Sequence, residues 1–78
     1  MSKLPVTDAK TLEKILFALG FVFIRQKGSH RFYRHPGGRY TTIPHHGNAD
    51  LSRPLLREIL KQVDLSNEEY HDLLKKYG

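Results

Sequence analysis

The first half of the chain begins with a helical pattern of apolar positions. Thr7 or Asp8 can cap the start of this helix, and Gly20 can end it. The apolar positions recur at i, i+3, i+4 and i+7, at Leu12, Ile15, Leu16 and Leu19. The spacing therefore predicts an amphipathic helix with one apolar stripe.

From Phe21 onward the pattern changes to that of short strands. The segments "FVFIRQ", "SHRFYRH" and "RYTTI" are rich in aromatic and β-branched residues, and the second alternates in character. They are joined through Lys27-Gly28-Ser29 and through Pro36-Gly37-Gly38, which are short enough for hairpins. Three antiparallel strands are the expected result.

The second half returns to helical spacing after the loop "PHHGNADLS". Asp50 or Ser52 can cap the next helix, which tolerates Pro54 only in its first turn. Ser66 followed by Glu69 is the capping-box pattern of a further helix. The apolar faces of these two helices are Leu55, Leu56, Ile59, Leu60 and Val63, and then Tyr70, Leu73, Leu74 and Tyr77.

The order of elements indicates an α+β fold of one domain over residues 1–78. It reads α-β-β-β-α with an extra short C-terminal helix, and a chain of 78 residues supports one core. A three-stranded antiparallel sheet with helices on one face leaves its other face wet, as in domains that bind double-stranded RNA. Fold alone does not name a function.

The distribution of charged residues shows that the central segment is basic and contains no acidic residue. The net charge is +5, and no Asp or Glu stands between Glu13 and Asp50. A local field of one sign attracts polyanions, which favours nucleic acid over a membrane surface because no basic amphipathic helix accompanies it. The alternative is a basic surface that only keeps the protein in solution, although such surfaces usually mix both signs.

The composition and the apolar segments of the chain bear on the cellular compartment of the protein. The chain has no cysteine, so neither a disulfide framework nor a thiolate metal site is available. The N-terminal segment "MSKLPVTDAK" lacks the apolar run of a signal peptide, and no stretch approaches the roughly 20 apolar residues of a membrane span. We expect a cytoplasmic protein.

The second predicted strand carries the candidate chemistry. Alternation puts His30, Phe32 and Arg34 on one face, and Arg31, Tyr33 and His35 on the other, without deciding which face is buried. His30 follows Gly28-Ser29 directly, so it can reach solvent in either case. A histidine can give or take a proton near neutral pH, as metal-independent RNA cleavage requires, and nearby guanidinium groups can hold phosphate charge.

A metal site is the alternative use of the histidines. His30, His35, His45 and His46 could offer imidazoles, but a catalytic Zn²⁺ normally has spaced ligands and supporting carboxylates, which this segment lacks. Magnesium prefers carboxylates, and the nearest is Asp50. We expect no metal and no cofactor.

Three segments together resemble the HicA family of toxin-antitoxin mRNA interferases. They are "KGSHRFYRH", "RYTTIPHHGNADLS" and "LLREIL", in the family's order and spacing over roughly residues 8 to 65. The resemblance implies a fold like that of double-stranded-RNA-binding domains and an endoribonuclease whose histidine in the Gly-Ser-His motif is required for cleavage. That histidine is His30. The family's loop histidine falls on His46, which leaves His45 at a variable position.

The same resemblance implies a HicB-type antitoxin as partner, in a hetero-oligomer, and mRNA as substrate. We expect His30 to be the catalytic residue. The predicted RNA-binding residues are Lys27, Gly28, Ser29, Arg31, Arg34, Arg39 and His46. The competing hypothesis is a non-catalytic RNA-binding module, and the tail after Ser66 has either an antitoxin-binding or a core-completing role.

Overall fold

The computed structural model describes residues 4–78. The chain forms helix α1, three strands and two further helices, in the predicted order. Their bounds are α1 Ala9–Ala18, β1 Val22–Lys27, β2 His30–Arg34, β3 Tyr40–Pro44, α2 Arg53–Gln62 and α3 Asn67–Tyr77. The predicted α+β arrangement, similar to that of double-stranded-RNA-binding domains, is therefore confirmed.

The sheet is antiparallel with strand order β1-β2-β3. Only Gly28 and Ser29 separate β1 from β2, and the positive φ of Gly28 (59°) suits a tight hairpin turn. Between Phe23 and Arg25 the register shifts, so β1 contains an irregularity of the β-bulge type at the sheet edge. The remaining pairs place Lys27 opposite His30.

The predicted N-terminal caps of the three helices are confirmed. Asp8 accepts a hydrogen bond from the Thr11 amide and is the N-cap of α1. Ser52 caps α2, in which Pro54 occupies the first turn. Ser66 and Glu69 exchange the two hydrogen bonds of a capping box at the start of α3. The sequence offered two candidate caps for each of the first two helices, and the second candidate is used in both.

The core lies between the helices and one face of the sheet. Tyr33 is fully buried, and its ring centroid lies 6.0 Å from that of Phe17 on α1. The alternative that the sequence left open is thereby decided: the face of β2 that carries Tyr33 is the inner one. The buried apolar residues are Leu4, Ala9, Leu12, Ile15, Leu16, Phe21, Tyr33, Ile43, Leu51, Leu56, Ile59, Leu60, Val63, Leu65 and Tyr70.

Helix α3 completes this core. Tyr70 is fully buried and donates a hydrogen bond from its hydroxyl to the Pro5 carbonyl, at 2.7 Å. Burial, with a smaller effect of Asp50, raises the pKa of Tyr70 to about 12. Of the two roles considered for the tail, the core-completing one is therefore observed.

Two expectations concern the ends of the chain and membranes. None of the helices in the described part of the chain is both long and apolar enough to cross a bilayer. The predicted lack of a signal peptide depends partly on residues 1–3, which lie outside the described residues.

Candidate active site

The sheet face that points away from α1 carries basic and aromatic side chains. Alternation along β2 directs the neighbours of Tyr33 to this side, and residues paired across an antiparallel sheet share a face. We call this surface the open face. It consists of Val22, Arg25, Lys27, His30, Phe32, Arg34, Tyr40, Thr42 and Pro44. Three of these side chains are cationic and none is acidic, so the open face is suited to an anionic partner.

His30 stands at the start of β2, where the hairpin opens into the sheet. Its side chain is exposed, as the sequence predicted. Lys27 is its partner on β1 and Pro44 its partner on β3. The His45 amide donates to the Ser29 carbonyl at 2.7 Å, so the loop after β3 is tied to the turn before His30. The backbone of His30 is therefore held by a neighbouring strand on each side.

A groove of about 520 Å³ lies between β3 and α2 and is open to His30. Its volume is within the range typical of ligand pockets. The structure thus brings together two histidines that the sequence singled out, His30 and His46. The lining residues are His30, Tyr40, Thr41, Thr42, Pro44, His46, Leu55, Glu58, Ile59 and Gln62.

Glu58 gives this groove a carboxylate that sequence reasoning missed. The Thr41 hydroxyl donates to Gln62 Oε1 at 2.7 Å, and Gln62 Nε2 donates to Glu58 Oε2 at 3.4 Å. Thr41 is buried, so this chain of hydrogen bonds connects the carboxylate to a fixed point in the core. The i, i+4 spacing of Glu58 and Gln62 indicates a shared helix face. Only the docking of α2 against β3 reveals that this face meets His30.

Four of the predicted RNA-binding residues lie on the open face or in the turn before His30. Lys27 and Arg34 lie on the open face, while Gly28 and Ser29 form the turn beside His30. Arg25, which was not predicted, lies on the same face, with its guanidinium carbon 5.0 Å from the Phe32 ring centroid.

The other two predicted cations are engaged within the fold. Arg39 donates from Nη1 to the Val63 carbonyl at 3.0 Å, just beyond α2, and its guanidinium lies 5.7 Å from the ring centroid of Phe21. Arg31 lies on the inner side of the sheet, where its Nε is 3.1 Å from Glu13 Oε2. The angle is not that of a hydrogen bond, so this contact is an ion pair and the Nε–H is left without a partner.

Glu13 also joins Tyr33 and His45 in a polar cluster beneath the sheet. The Tyr33 hydroxyl donates to Glu13 Oε2, and His45 Nε2 lies 3.0 Å from the same hydroxyl. Because the one hydroxyl hydrogen goes to Glu13, His45 must donate its Nε2–H to the phenol oxygen. We call Glu13, Arg31, Tyr33 and His45 the Glu13 cluster. The segment between Glu13 and Asp50 has no acid in its sequence, but in the fold the Glu13 carboxylate lies against the second strand.

Burial and charge shift two pKa values in the Glu13 cluster. Burial, followed by the hydrogen bond and the charge of Glu13, raises the pKa of Tyr33 well above its usual range. Burial is also the main cause that lowers the pKa of His45; Glu13 opposes it and Arg31 adds to it. His45 is therefore neutral in the folded protein over a wider pH range than in the unfolded chain.

Stability is consequently expected to decrease as the pH falls below about 6.5, the ordinary histidine value. In that range the unfolded chain binds a proton at His45 before the folded protein does, so protonation favours unfolding. His45→Gln retains an N–H donor without titrating. Urea unfolding at pH 7.5 and 5.5 should give a smaller loss of stability for His45→Gln than for wild type. Equal losses in the two proteins would contradict the assignment.

The histidines are distributed over different surroundings. His35 packs its ring against Phe21, with centroids 5.1 Å apart, and His45 belongs to the Glu13 cluster. Within residues 4–78, no three His, Cys, Asp or Glu side chains are grouped so that they could hold a metal ion. Of the four histidines of the central segment, His30 and His46 therefore share the groove, whereas His35 and His45 lie in separate surroundings.

The chain was also compared with known proteins. The family described as the HicA toxin of bacterial toxin-antitoxin systems matches residues 9–65, most of the chain, from α1 to the residue that precedes the N-cap of α3. No curated protein matches the sequence. The matched region contains the whole sheet, His30 and both sides of the groove. The chain belongs to the HicA toxin family, and a toxin of such a system implies an antitoxin partner.

Proposed function

We propose that this toxin is a metal-independent endoribonuclease that cleaves mRNA with His30 as the catalytic residue. The observation that carries the proposal is the position of His30, which is exposed at a groove and flanked by the cations of the open face. Cleavage of mRNA would stop translation and growth, as expected of a toxin in a toxin-antitoxin system.

The proposed reaction is a transfer within the RNA strand. The ribose 2′-oxygen loses its proton and bonds to the adjacent phosphorus, while the bond from phosphorus to the 5′-oxygen breaks and that oxygen gains a proton. The products are a 2′,3′-cyclic phosphate and a 5′-hydroxyl. His30 performs one of the two proton transfers, as general base or general acid, which typically contributes about 10²–10⁴-fold to the rate.

Phosphate binding is assigned first to the cations that share a face with His30. Lys27 is paired with His30 across the hairpin, and Arg34 lies on the same strand. Lys27 can stabilise the charge on the phosphate oxygens in the transition state, and Arg34, at the other end of β2, can hold a neighbouring phosphate of the same RNA strand. Arg31 and Arg39, the other predicted phosphate ligands, are already engaged with Glu13 and with the Val63 carbonyl. His46 contacts RNA from the loop side of the groove.

The proposed partner is a HicB-type antitoxin that covers the active face in a hetero-oligomer. The family implies an antitoxin, and the acid-free open face would attract an acidic protein surface as readily as RNA. The complex is proposed to reside in the cytoplasm, where mRNA is translated.

Incubating the purified protein with an end-labelled transcript in EDTA tests the enzymatic proposal. We expect cleavage without added metal and fragments that carry 2′,3′-cyclic phosphate and 5′-hydroxyl ends. RNA that is bound but remains intact would instead support the non-catalytic RNA-binding module. Cleavage that requires restored Mg²⁺ would support a metal-dependent nuclease and overturn the proposed chemistry.

A further inference from the structure

Tyr40 is a large aromatic residue that the core does not use. Its side chain is 45% exposed, and it lines the groove together with His30. The other strongly exposed apolar side chains, including Phe17 and Phe23, lie on α1 or β1, away from the groove. Exposed aromatic surface beside a candidate catalytic group indicates a binding role.

The aromatic surface extends across all three strands. The Phe32 ring lies between Arg25 and Tyr40: the guanidinium carbon is 5.0 Å from the Phe32 ring centroid, and the Tyr40 ring centroid is 6.2 Å away at a tilt of 39°. The strand register places these three side chains in a row across the sheet. Arg25 is paired with Phe32, and Tyr40 is paired with Arg34, which is two residues beyond Phe32 and therefore on the same face of β2. Three planar groups therefore form a continuous surface.

Charge on the open face points to an anionic occupant that also has flat apolar faces. Lys27 and Arg34 flank the aromatic row on the same face: Lys27 is paired with His30 at one end, and Arg34 is paired with Tyr40 at the other. Proteins that bind single-stranded nucleic acid combine basic surface for the backbone with aromatic side chains on which bases stack. A base inside a duplex has both faces covered by its neighbours, so it cannot stack on a side chain without leaving the helix.

We infer that Tyr40, with Phe32 and Arg25 beside it, forms a stacking subsite for an unpaired base of RNA next to the phosphate that faces His30. The inference rests on the proposed function for the identity of the ligand, and it adds that the RNA must be single-stranded where it meets the groove. The fold resembles domains that bind duplex RNA, but the substrate surface of this protein is the open face of the sheet.

The subsite can be tested by binding alone. The probe is a fluorescent 2′-O-methyl RNA of about 12 nucleotides, which lacks the attacking hydroxyl and therefore cannot be cleaved. Kd is measured by anisotropy at one fixed salt concentration, because phosphate contacts make affinity salt-dependent. Tyr40→Leu should weaken binding by about 5- to 150-fold, the loss of one stacked base. Tyr40→Phe keeps the ring and should bind as wild type does.

Two further measurements make the result decisive. The thermal unfolding temperature of Tyr40→Leu should be close to that of wild type, because the Tyr40 side chain is exposed. A duplex of the same sequence should bind more weakly and show no dependence on Tyr40. Equal Kd values of wild type and Tyr40→Leu for the single strand would overturn the subsite. So would a duplex whose Kd is raised by Tyr40→Leu as much as that of the single strand. If the transcript in EDTA stays intact while the Tyr40 effect persists, the nuclease proposal fails and the subsite stands.

Discussion

His30→Ala is expected to slow RNA cleavage by about 10²–10⁴-fold and to relieve growth inhibition when the toxin is expressed. The imidazole is the titratable group at the start of β2 that faces both the groove and the cations of the open face. Alanine removes the proposed proton-transfer group without removing packing, since the His30 side chain is exposed. Single-turnover cleavage of a labelled transcript measures the effect on chemistry directly.

His46→Ala is the matched control for this substitution. It removes a second imidazole from the lining of the same groove, but His46 has no proposed proton-transfer role. We expect His46→Ala to weaken RNA binding moderately and to retain cleavage at saturating RNA. Both variants should unfold at the wild-type temperature. Purified His30→Ala that still cuts RNA at the wild-type rate would show that the catalytic assignment is wrong.

The strand pattern predicted the local structure well, because strand alternation and turn residues act over a few positions. His30, Phe32 and Arg34 do share one face, and the two glycine-containing turns do join the strands. Alternation could not decide which face was buried, because Phe32 and Tyr33 are equally suited to a core. That choice depends on α1, whose Phe17 packs against Tyr33.

The candidate site was predicted less completely, because charges were judged by their separation in sequence. Glu13 lies on α1 and Arg31 on β2, with β1 between them in the chain, yet the two side chains form an ion pair. Glu58 lies far from His30 in sequence and lines the same groove. Such pairings are created by the docking of helices on the sheet, and a count of acids along a segment does not detect them.

For the same reason, the sequence did not predict a role for His45. Its position after Pro44 gave no signal of a partner, and the resemblance put the matching histidine at the next position. In the fold, His45 contacts Tyr33, which stands on the strand beside β3. A polar side chain near a strand end can be assigned a structural role only once the neighbouring strand is known.

Tyr33→Ala is expected to cost about 3–5 kcal/mol of stability, the range for large aromatic residues removed from a core. The Tyr33 side chain is fully buried, and its ring contacts Phe17 and Phe23. Small domains are stable by only about 5–15 kcal/mol, so the variant should melt far below wild type or fail to fold at 37 °C. Tyr40→Ala, an exposed tyrosine on the next strand, should change stability by about 0.5 kcal/mol or less.

Tyr33→Phe separates packing from hydrogen bonding at the same position. The ring stays, but Glu13 loses the hydroxyl donor and His45 loses its acceptor in a partly buried setting, which we expect to cost about 1–3 kcal/mol. Because His45 ties its loop to the turn before His30, the same variant should also cleave RNA more slowly. Urea unfolding and cleavage rates measure the two effects. A Tyr33→Phe protein as stable as wild type would mean that the ring, and not the Glu13 cluster, accounts for the whole loss in Tyr33→Ala.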